Sequence, residues 1–344
     1  MTRETIIDTD GRTGRGYAPM ARFLPSGLVW PRGGEADPRK TCEALWRRKQ
    51  MTEADVTGAK PGRETSRTVS NGAVALYVAE YVGEQRHETP VLLIHGWPDS
   101  GILWERQVPA LVEAGFRVIV PDQRGFGRSD RPAEVEEYVI ARPVQDMVAV
   151  LDACDAPSAH VVGHDWGATV AWSLAINHPE RVRTLAALSV PHPLVPFTVR
   201  QAEMFWYQLF YQFEGVAEAT IQADDWAWLR WFTRNHGDLD RAISDLSRPG
   251  ALTASLNWAR ANLAPRMPGP APELPPVKVP TMGVWSTGDH HLDGDRMAQS
   301  GDFVGAPWRH EVIADASHWI PLDAPDQLNE LLLDWLLSNS ETQA

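Results

Sequence analysis

Short apolar runs recur along the chain and alternate with longer stretches that have the spacing of amphipathic helices. The runs are too short for buried helices and contain few polar residues, which is typical of strands covered on both faces. Alternation of such strands with helices predicts an α/β fold with a mostly parallel sheet flanked by helices. We predict these strands at residues 91–94, 118–120, 160–162, 185–188 and 281–285, after an earlier strand or strand pair at 73–82.

The alternation stops between residues 191 and 265, where aromatic and acidic helical patterns continue without a strand. This segment is predicted to be a helical cap inserted over the sheet. Prolines between 268 and 276 mark the return to the core, because proline cannot continue a helix. The predicted organisation is a flexible N-terminal extension at 1–65, a first part of the core at 66–190, the cap at 191–265 and a second part of the core at 266–344.

The composition is that of a globular protein and excludes some classes of partner. The chain has 344 residues, 43% of them hydrophobic, and a formal net charge of −13. That charge repels nucleic acids and anionic membranes. No apolar run in the sequence is long enough to predict a membrane-spanning helix. Cys42 and Cys154 are too few for a disulfide framework, so a cytoplasmic location is expected. Many of the 15 Trp residues fall between 206 and 258, which indicates either an aromatic-walled site or ordinary helix packing.

A glycine-flanked aspartate stands between one predicted strand and the helix after it, in the run Gly163-His164-Asp165-Trp166-Gly167. A tight strand-to-helix turn needs small residues on both sides of its central residue, whose side chain then projects above the sheet. A carboxylate there attacks a saturated carbon and becomes an ester, whereas the more usual serine attacks esters. Asp165 is therefore predicted to be a covalent nucleophile for a carbon electrophile such as an epoxide. The alternative is that Asp165 only caps the helix.

Two further titratable residues follow predicted strands in the order of an acid and then a histidine. Asp289 comes after the strand at 281–285, and His318 comes after the apolar pair at 312–313. Residues at the carboxyl ends of parallel strands meet at one edge of the sheet. Asp289 alone can be a turn former, and His318 alone can be a surface histidine. Together they predict a catalytic triad with Asp165.

A fourth motif, His95-Gly96-Trp97-Pro98, directly follows the strand at 91–94. The backbone amides of Trp97 and Trp166 are predicted to converge on one oxygen of the nucleophile and to form an oxyanion hole. The alternative for this motif is a plain strand-ending turn. The run at 122–129 also ends a strand, and we interpret it as a loop held together by turn chemistry and ion pairing.

Three motifs together resemble the soluble epoxide hydrolases of the α/β-hydrolase superfamily. They are H-G-W-P at 95–98, D-x-R-G-x-G-x-S at 122–129 and G-H-D-W-G at 163–167, and the resemblance covers roughly residues 66–337. It implies an α/β-hydrolase fold with a helical cap, and an epoxide converted to a vicinal diol through an ester on Asp165, which water activated by His318 and Asp289 hydrolyses. The implied partners are a small, largely apolar epoxide and water, without a metal or an organic cofactor.

The resemblance extends into the predicted cap. Residues 206–218 resemble the cap segment whose tyrosine faces the nucleophile, so Tyr207 is expected to donate a hydrogen bond to the epoxide oxygen. Residues 256–262 resemble a second cap segment, where the family places another tyrosine and this chain has Ala259. Either another donor such as Tyr211 replaces that tyrosine, a water fills the space, or the substrate is not a simple epoxide. Tyr211, Trp258 and Ala259 are expected to line the substrate site.

Two other functions remain open from the sequence. Haloalkane dehalogenases are similar in their aspartate nucleophile, and an N–H group like that of Trp166 holds the halide there. A fluoroacetate dehalogenase fits less well, because that family has an arginine directly after the nucleophile. The second alternative is a catalytically weakened binding protein, which the set of Asp165, Asp289 and His318 disfavours and Ala259 keeps open.

Overall fold

The computed structural model of the chain describes residues 62–263 and 273–340, and an eight-stranded sheet lies at the centre of these residues. Its strands are, in chain order, β1 Arg63–Asn71, β2 Val74–Val82, β3 Val91–Ile94, β4 Val118–Pro121, β5 Ala159–His164, β6 Val182–Leu188, β7 Thr281–Ser286 and β8 Trp308–Ile313. They lie side by side in the order β1-β2-β4-β3-β5-β6-β7-β8. β2 is antiparallel to β1 and β4, and the other neighbours are parallel. The predicted mostly parallel sheet is confirmed.

The first strand begins before the predicted start of the core at residue 66. β1 begins at Arg63 and pairs with β2 along its whole length, and Gly72 and Ala73 form the turn between the two strands. Its residues are mostly polar, and only Val69 is buried. An exposed edge strand lacks the apolar run that reveals a buried strand, so the pattern of the sequence does not show where it begins. The preceding part of the predicted extension, residues 1–61, lies outside the described residues.

Helices cover both faces of the sheet. They are α1 Val108–Glu113, α2 Ala141–Ala153, α3 Trp166–Asn177, α4 Val199–Met204, α5 Trp206–Tyr211, α6 Val216–Thr233, α7 Leu239–Leu246, α8 Ala251–Leu263, α9 Gly294–Gln299, α10 Ile320–Asp323 and α11 Pro325–Ser340. On β5, Val161 packs in the apolar cluster of α2 and α3, whereas Val162 packs in that of α1 and α11. Successive side chains of a strand point to opposite faces, so the two clusters lie on opposite sides. None of the helices in this part of the chain is long and apolar enough to span a membrane.

Helices α4 to α8 follow one another without a strand between them in the described residues 191–263. α8 binds to core loops beyond the strands. The Trp258 indole donates a hydrogen bond to the Arg124 carbonyl at 3.1 Å, and the Asn262 amide donates to the Tyr138 carbonyl at 2.8 Å. These contacts fix the helical segment beside the end of β4. The predicted return to the core at residue 266 lies outside the described residues.

The run at 122–129 contains the turn and ion-pair contacts expected of it. Asp122 accepts hydrogen bonds from the amides of Gly101 and Arg128, each at 2.7 Å. Arg124 forms a buried ion pair with Asp146, with Nε and Oδ2 2.6 Å apart. These bonds fix the loop after β4, and α8 packs against that loop.

Candidate active site

Asp165 occupies a strained turn between β5 and α3. Its φ of 53° and ψ of −122° lie outside the regions usual for L-residues. The turn needs glycine on both sides, because a Cβ atom on Gly163 would lie 2.3 Å from the Gly167 carbonyl oxygen, and one on Gly167 would lie 2.0 Å from that of Ile94. The Asp165 carboxylate accepts no hydrogen bond from the first turn of α3. It therefore does not cap the helix.

The carboxylate of Asp165 is held between a backbone amide and an imidazole. The Trp97 amide donates a hydrogen bond to Oδ1 at 2.8 Å, and Nε2 of His318 lies 3.4 Å from Oδ2. The side chain keeps 23% of its surface exposed, so the carboxylate remains accessible to a ligand. Of the two predicted oxyanion-hole amides, that of Trp97 bonds to Asp165, whereas that of Trp166 does not in the described part of the chain.

His318 is held by Asp289 on the other side of its ring. Nδ1 of His318 lies 2.8 Å from Oδ2 of Asp289, and both side chains are buried. The second oxygen of Asp289 accepts hydrogen bonds from the amides of His291 at 2.7 Å and Leu292 at 3.0 Å. Asp289 is therefore fixed from several directions and orients the imidazole. The structure brings the three predicted triad residues, from three separate loops, into one contact chain.

The two carboxylates raise the affinity of His318 for its proton. Burial alone would lower the pKa of His318, but the charge of Asp289 and hydrogen bonds to Asp165 and Asp289 raise it to about 10. Burial alone would raise the pKa of both carboxyl groups, but His318 holds the pKa of each below its usual value. At neutral pH the free site therefore holds an imidazolium between two carboxylates. Asp165 is therefore ionised, and His318 keeps its proton while Asp165 is charged.

A small cavity of about 30 Å³ lies above Asp165. One water needs roughly 10–15 Å³, so the space holds about two waters and a larger ligand requires side chains to move. Among the residues that line the cavity are those predicted from the sequence: Trp97, Trp166, Tyr207, Tyr211, Ala259 and His318.

Two phenol groups from one helix reach this cavity. Tyr207 and Tyr211 are four residues apart on α5, which places them on one face, and their ring centroids are 5.6 Å apart. The Tyr211 hydroxyl is buried and has no hydrogen-bond partner among the described residues. Burial raises the pKa of both phenols far above the neutral range. Both are therefore neutral hydrogen-bond donors.

Trp258 does not line the cavity, contrary to the prediction. Its ring is fully buried, donates a hydrogen bond to the Arg124 carbonyl and lies 5.6 Å from the Trp166 ring, measured between centroids. Neighbouring residues on a helix point about 100° apart, so Trp258 and Ala259 have different surroundings. Ala259 lines the cavity, and Trp258 packs between α8 and the core.

The remaining lining residues were missed by the sequence prediction, and they are Gln208, Phe232, Ser255 and His291. Ser255 lies one helical turn before Ala259 on α8, and this spacing is a signal that identifies it. His291 comes two residues after Asp289. That proximity does not reveal that the loop turns the His291 ring towards the cavity rather than towards solvent.

Larger pockets lie elsewhere on the described surface. One of about 470 Å³ is lined by Asp122 and Arg241, and one of about 700 Å³ is lined by Arg124 and Arg142. Neither is lined by Asp165, Asp289 or His318, whereas the small cavity is lined by both Asp165 and His318. Within residues 62–263 and 273–340, no group of three or more His, Cys, Asp or Glu residues is arranged to hold a metal ion.

Comparisons with known proteins identify relatives along most of the chain. Residues 89–325 match the family model described as alpha/beta hydrolase fold. The chain is 31% identical over 329 residues to epoxide hydrolase A of Mycobacterium tuberculosis, and the alignment covers 80% of this chain and 98% of that protein. It is 34% identical over 286 residues to the AB hydrolase superfamily protein YfhM of Bacillus subtilis, and that alignment covers 78% of this chain and 96% of that protein.

Solved structures give the same result. The crystal structure of epoxide hydrolase A from Mycobacterium thermoresistibile aligns with a TM-score of 0.65 and 29% identity, over 80% of this chain and 98% of that one. An epoxide hydrolase from an endophytic Streptomyces aligns with a TM-score of 0.66 and 27% identity, over 80% of this chain and 97% of that one. With Asp165 in the turn between β5 and α3 and with its three motifs, the chain belongs to the soluble epoxide hydrolase family of the α/β-hydrolase superfamily.

Proposed function

We propose that this protein is an epoxide hydrolase that converts an epoxide to a vicinal diol through a covalent ester on Asp165. Relatives named epoxide hydrolase support the reaction. One observation carries the mechanism: the accessible Asp165 carboxylate shares a cavity with Tyr207 and contacts His318. A nucleophile, a donor for the leaving oxygen and a base are thus in one site. In this proposal residues 191–265 are the cap, and the core consists of 266–344 and of a first part that begins with β1 at Arg63 and ends at 190.

In the first step, Asp165 attacks one carbon of the epoxide and the bond from that carbon to the epoxide oxygen breaks. An ester forms on Asp165, and the oxygen becomes an alkoxide that Tyr207 stabilises by a hydrogen bond. The ester removes the negative charge that helps to raise the pKa of His318. His318 then loses its proton to the alkoxide, directly or through a phenol. A hydroxyalkyl ester and a neutral imidazole result.

In the second step, neutral His318 accepts a proton from water, whose oxygen attacks the carboxyl carbon of the Asp165 ester. Negative charge develops on the carboxyl oxygen near the Trp97 amide, which is 2.8 Å from Oδ1 in the free protein. The Trp166 amide is the second donor in this proposal, and it forms its bond as the oxyanion develops. Collapse releases the diol, and the site returns to an ionised Asp165 and a protonated His318.

Tyr211 is proposed to replace the tyrosine that is absent at position 259. Its hydroxyl is buried without a partner, so it can donate to the alkoxide without breaking another hydrogen bond. Ala259 lines the same cavity, and its methyl side chain cannot donate a hydrogen bond to the alkoxide. Two phenols from α5 would then share the charge that ring opening creates.

Replacing Tyr207 or Tyr211 with phenylalanine is expected to slow ester formation by roughly 10²-fold in each case, because each change removes one donor to the alkoxide. Rapid-quench experiments under single-turnover conditions measure this step separately from ester hydrolysis. Tyr81→Phe is the matched control, because Tyr81 lies on β2 away from the cavity. An unchanged rate in Tyr211→Phe would contradict the role of Tyr211 alone.

The pKa of His318 is expected to fall in an Asp165→Asn variant. The folded protein raises it to about 10 from the usual 6.5, and Asp165 is one of the groups that raise it. NMR titration of the histidine side chains measures the change. The raised pKa stabilises the fold fully below pH 6.5, and this contribution is lost as pH rises through about 10. The same pKa in both proteins would show that ester formation does not prepare His318 as a base.

A haloalkane dehalogenase is the second candidate, because it uses the same kind of nucleophile and the Trp166 side chain lines the cavity. Incubation with an aryl epoxide and separately with bromoalkanes, followed by diol and bromide assays, distinguishes the two. We expect diol and no bromide. Bromide without diol would identify a dehalogenase, and no turnover with a broad panel of both would favour a binding protein.

A further inference from the structure

His291 is a polar residue of the cavity that the proposed mechanism does not use. The backbone on both sides of its side chain is fixed: its amide donates to Asp289 at 2.7 Å, and its carbonyl accepts from the buried Gln201 side chain of α4 at 3.0 Å. The ring packs against that of Phe232, with centroids 4.6 Å apart. The loop and the helical segment therefore hold this imidazole at the cavity wall.

The His291 ring makes no hydrogen bond to the described part of the protein, although it lines the cavity. Its centroid lies 5.4 Å from that of His318 and 6.0 Å from that of Tyr207. Burial, assisted by the charge of His318, lowers the pKa of His291 to about 4. The ring is therefore neutral at physiological pH and presents one donor and one acceptor nitrogen. These polar atoms lie close to the reacting groups.

We infer that His291 forms a hydrogen bond with an uncharged polar substituent, such as a hydroxyl or carbonyl group, on a carbon next to the epoxide ring of the substrate. The inference rests on the proposed epoxide hydrolysis at this site. A neutral imidazole cannot neutralise the charge of a substrate carboxylate, and the carboxylates of Asp165 and Asp289 would repel that charge. Five of the other lining residues are aromatic, so the site favours an epoxide that is mostly apolar and has a polar group beside the ring; they are Trp97, Trp166, Tyr207, Tyr211 and Phe232.

A matched pair of substrates tests this inference: an epoxide with a hydroxymethyl group on the ring, and the same epoxide with a methyl group there. The ratio of their kcat/KM values is expected to be about tenfold lower in His291→Leu than in the wild type, because the hydroxyl loses its partner. His291→Gln should restore part of the ratio. His290→Leu, at an exposed neighbouring position that does not line this cavity, should keep it.

The outcomes separate this inference from the proposed function. Diol formation with the same ratio in the wild type and His291→Leu would overturn the role of His291 and leave the epoxide hydrolase assignment intact. If the wild type hydrolyses neither these epoxides nor the broad panel, the assignment fails, and tryptophan-fluorescence titration with the two diols tests His291 without turnover. The ratio of their Kd values should then change about tenfold in His291→Leu, and an unchanged ratio would overturn the inference.

Discussion

An Asp165→Asn variant is expected to lose diol formation by roughly 10⁴-fold or more. The amide is a poor nucleophile for a saturated carbon, so the ester cannot form at a useful rate. The fold should survive, because the two side chains have the same shape and the Trp97 amide can still donate to the amide oxygen. A steady-state diol assay, with thermal unfolding as the check on folding, measures the effect.

Asp155→Asn is the matched control for this variant. Asp155 also has a positive φ, 50°, but it is exposed and does not line the cavity, so full activity is expected. One turnover in water enriched in a heavy oxygen isotope adds a second check. Water attacks the carboxyl carbon in the proposed mechanism, so the label should enter Asp165 before it appears in the diol. Label in the diol after one turnover would show that water attacks the epoxide directly.

The contacts among Asp165, Asp289 and His318 could be predicted because short-range features of the sequence determine the positions of these residues. Strands covered on both faces are continuous apolar runs, and Asp165 and Asp289 each follow such a run closely, whereas His318 follows the apolar pair that ends the edge strand β8. Parallel strands bring these ends together whatever the details of the connecting helices. The turn that holds Asp165 is local only in part: a Cβ atom on Gly163 would meet Gly167, whereas one on Gly167 would meet Ile94 of the adjacent strand β3. We therefore attribute the predictability of the triad to sheet topology.

The residues that face the substrate were harder to predict, because they depend on the rotation and packing of helices. A shift of one position on α8 exchanges Trp258 for Ala259 at the cavity wall. His291 is turned inwards by contacts with Asp289 and Gln201, which are two and 90 residues away. No periodic pattern in the sequence records such contacts. The residues of the cavity wall therefore have to be determined from the structure, whereas the proposed reaction class follows from the motifs.

A His318→Gln variant is expected to form the ester but to hydrolyse it roughly 10²–10⁴-fold more slowly, because general-base activation of water is lost. Asp165 keeps its hydrogen bond from Trp97 and remains an ionised nucleophile near neutral pH. Incubation with an epoxide should therefore add the mass of one substrate molecule per protein. Mass spectrometry of the peptide that contains Asp165 locates the adduct.

Trapping the ester distinguishes two mechanisms that predict the same loss of steady-state activity in this variant. If His318 acted as a base that directs water to the epoxide, its removal would stop the reaction before any adduct formed, and the peptide mass would not change. Accumulation of the ester requires that His318 acts after Asp165, which agrees with an imidazole that is protonated in the free protein and becomes a base once Asp165 is neutral. His178→Gln, at the far end of α3, should show normal turnover and no adduct.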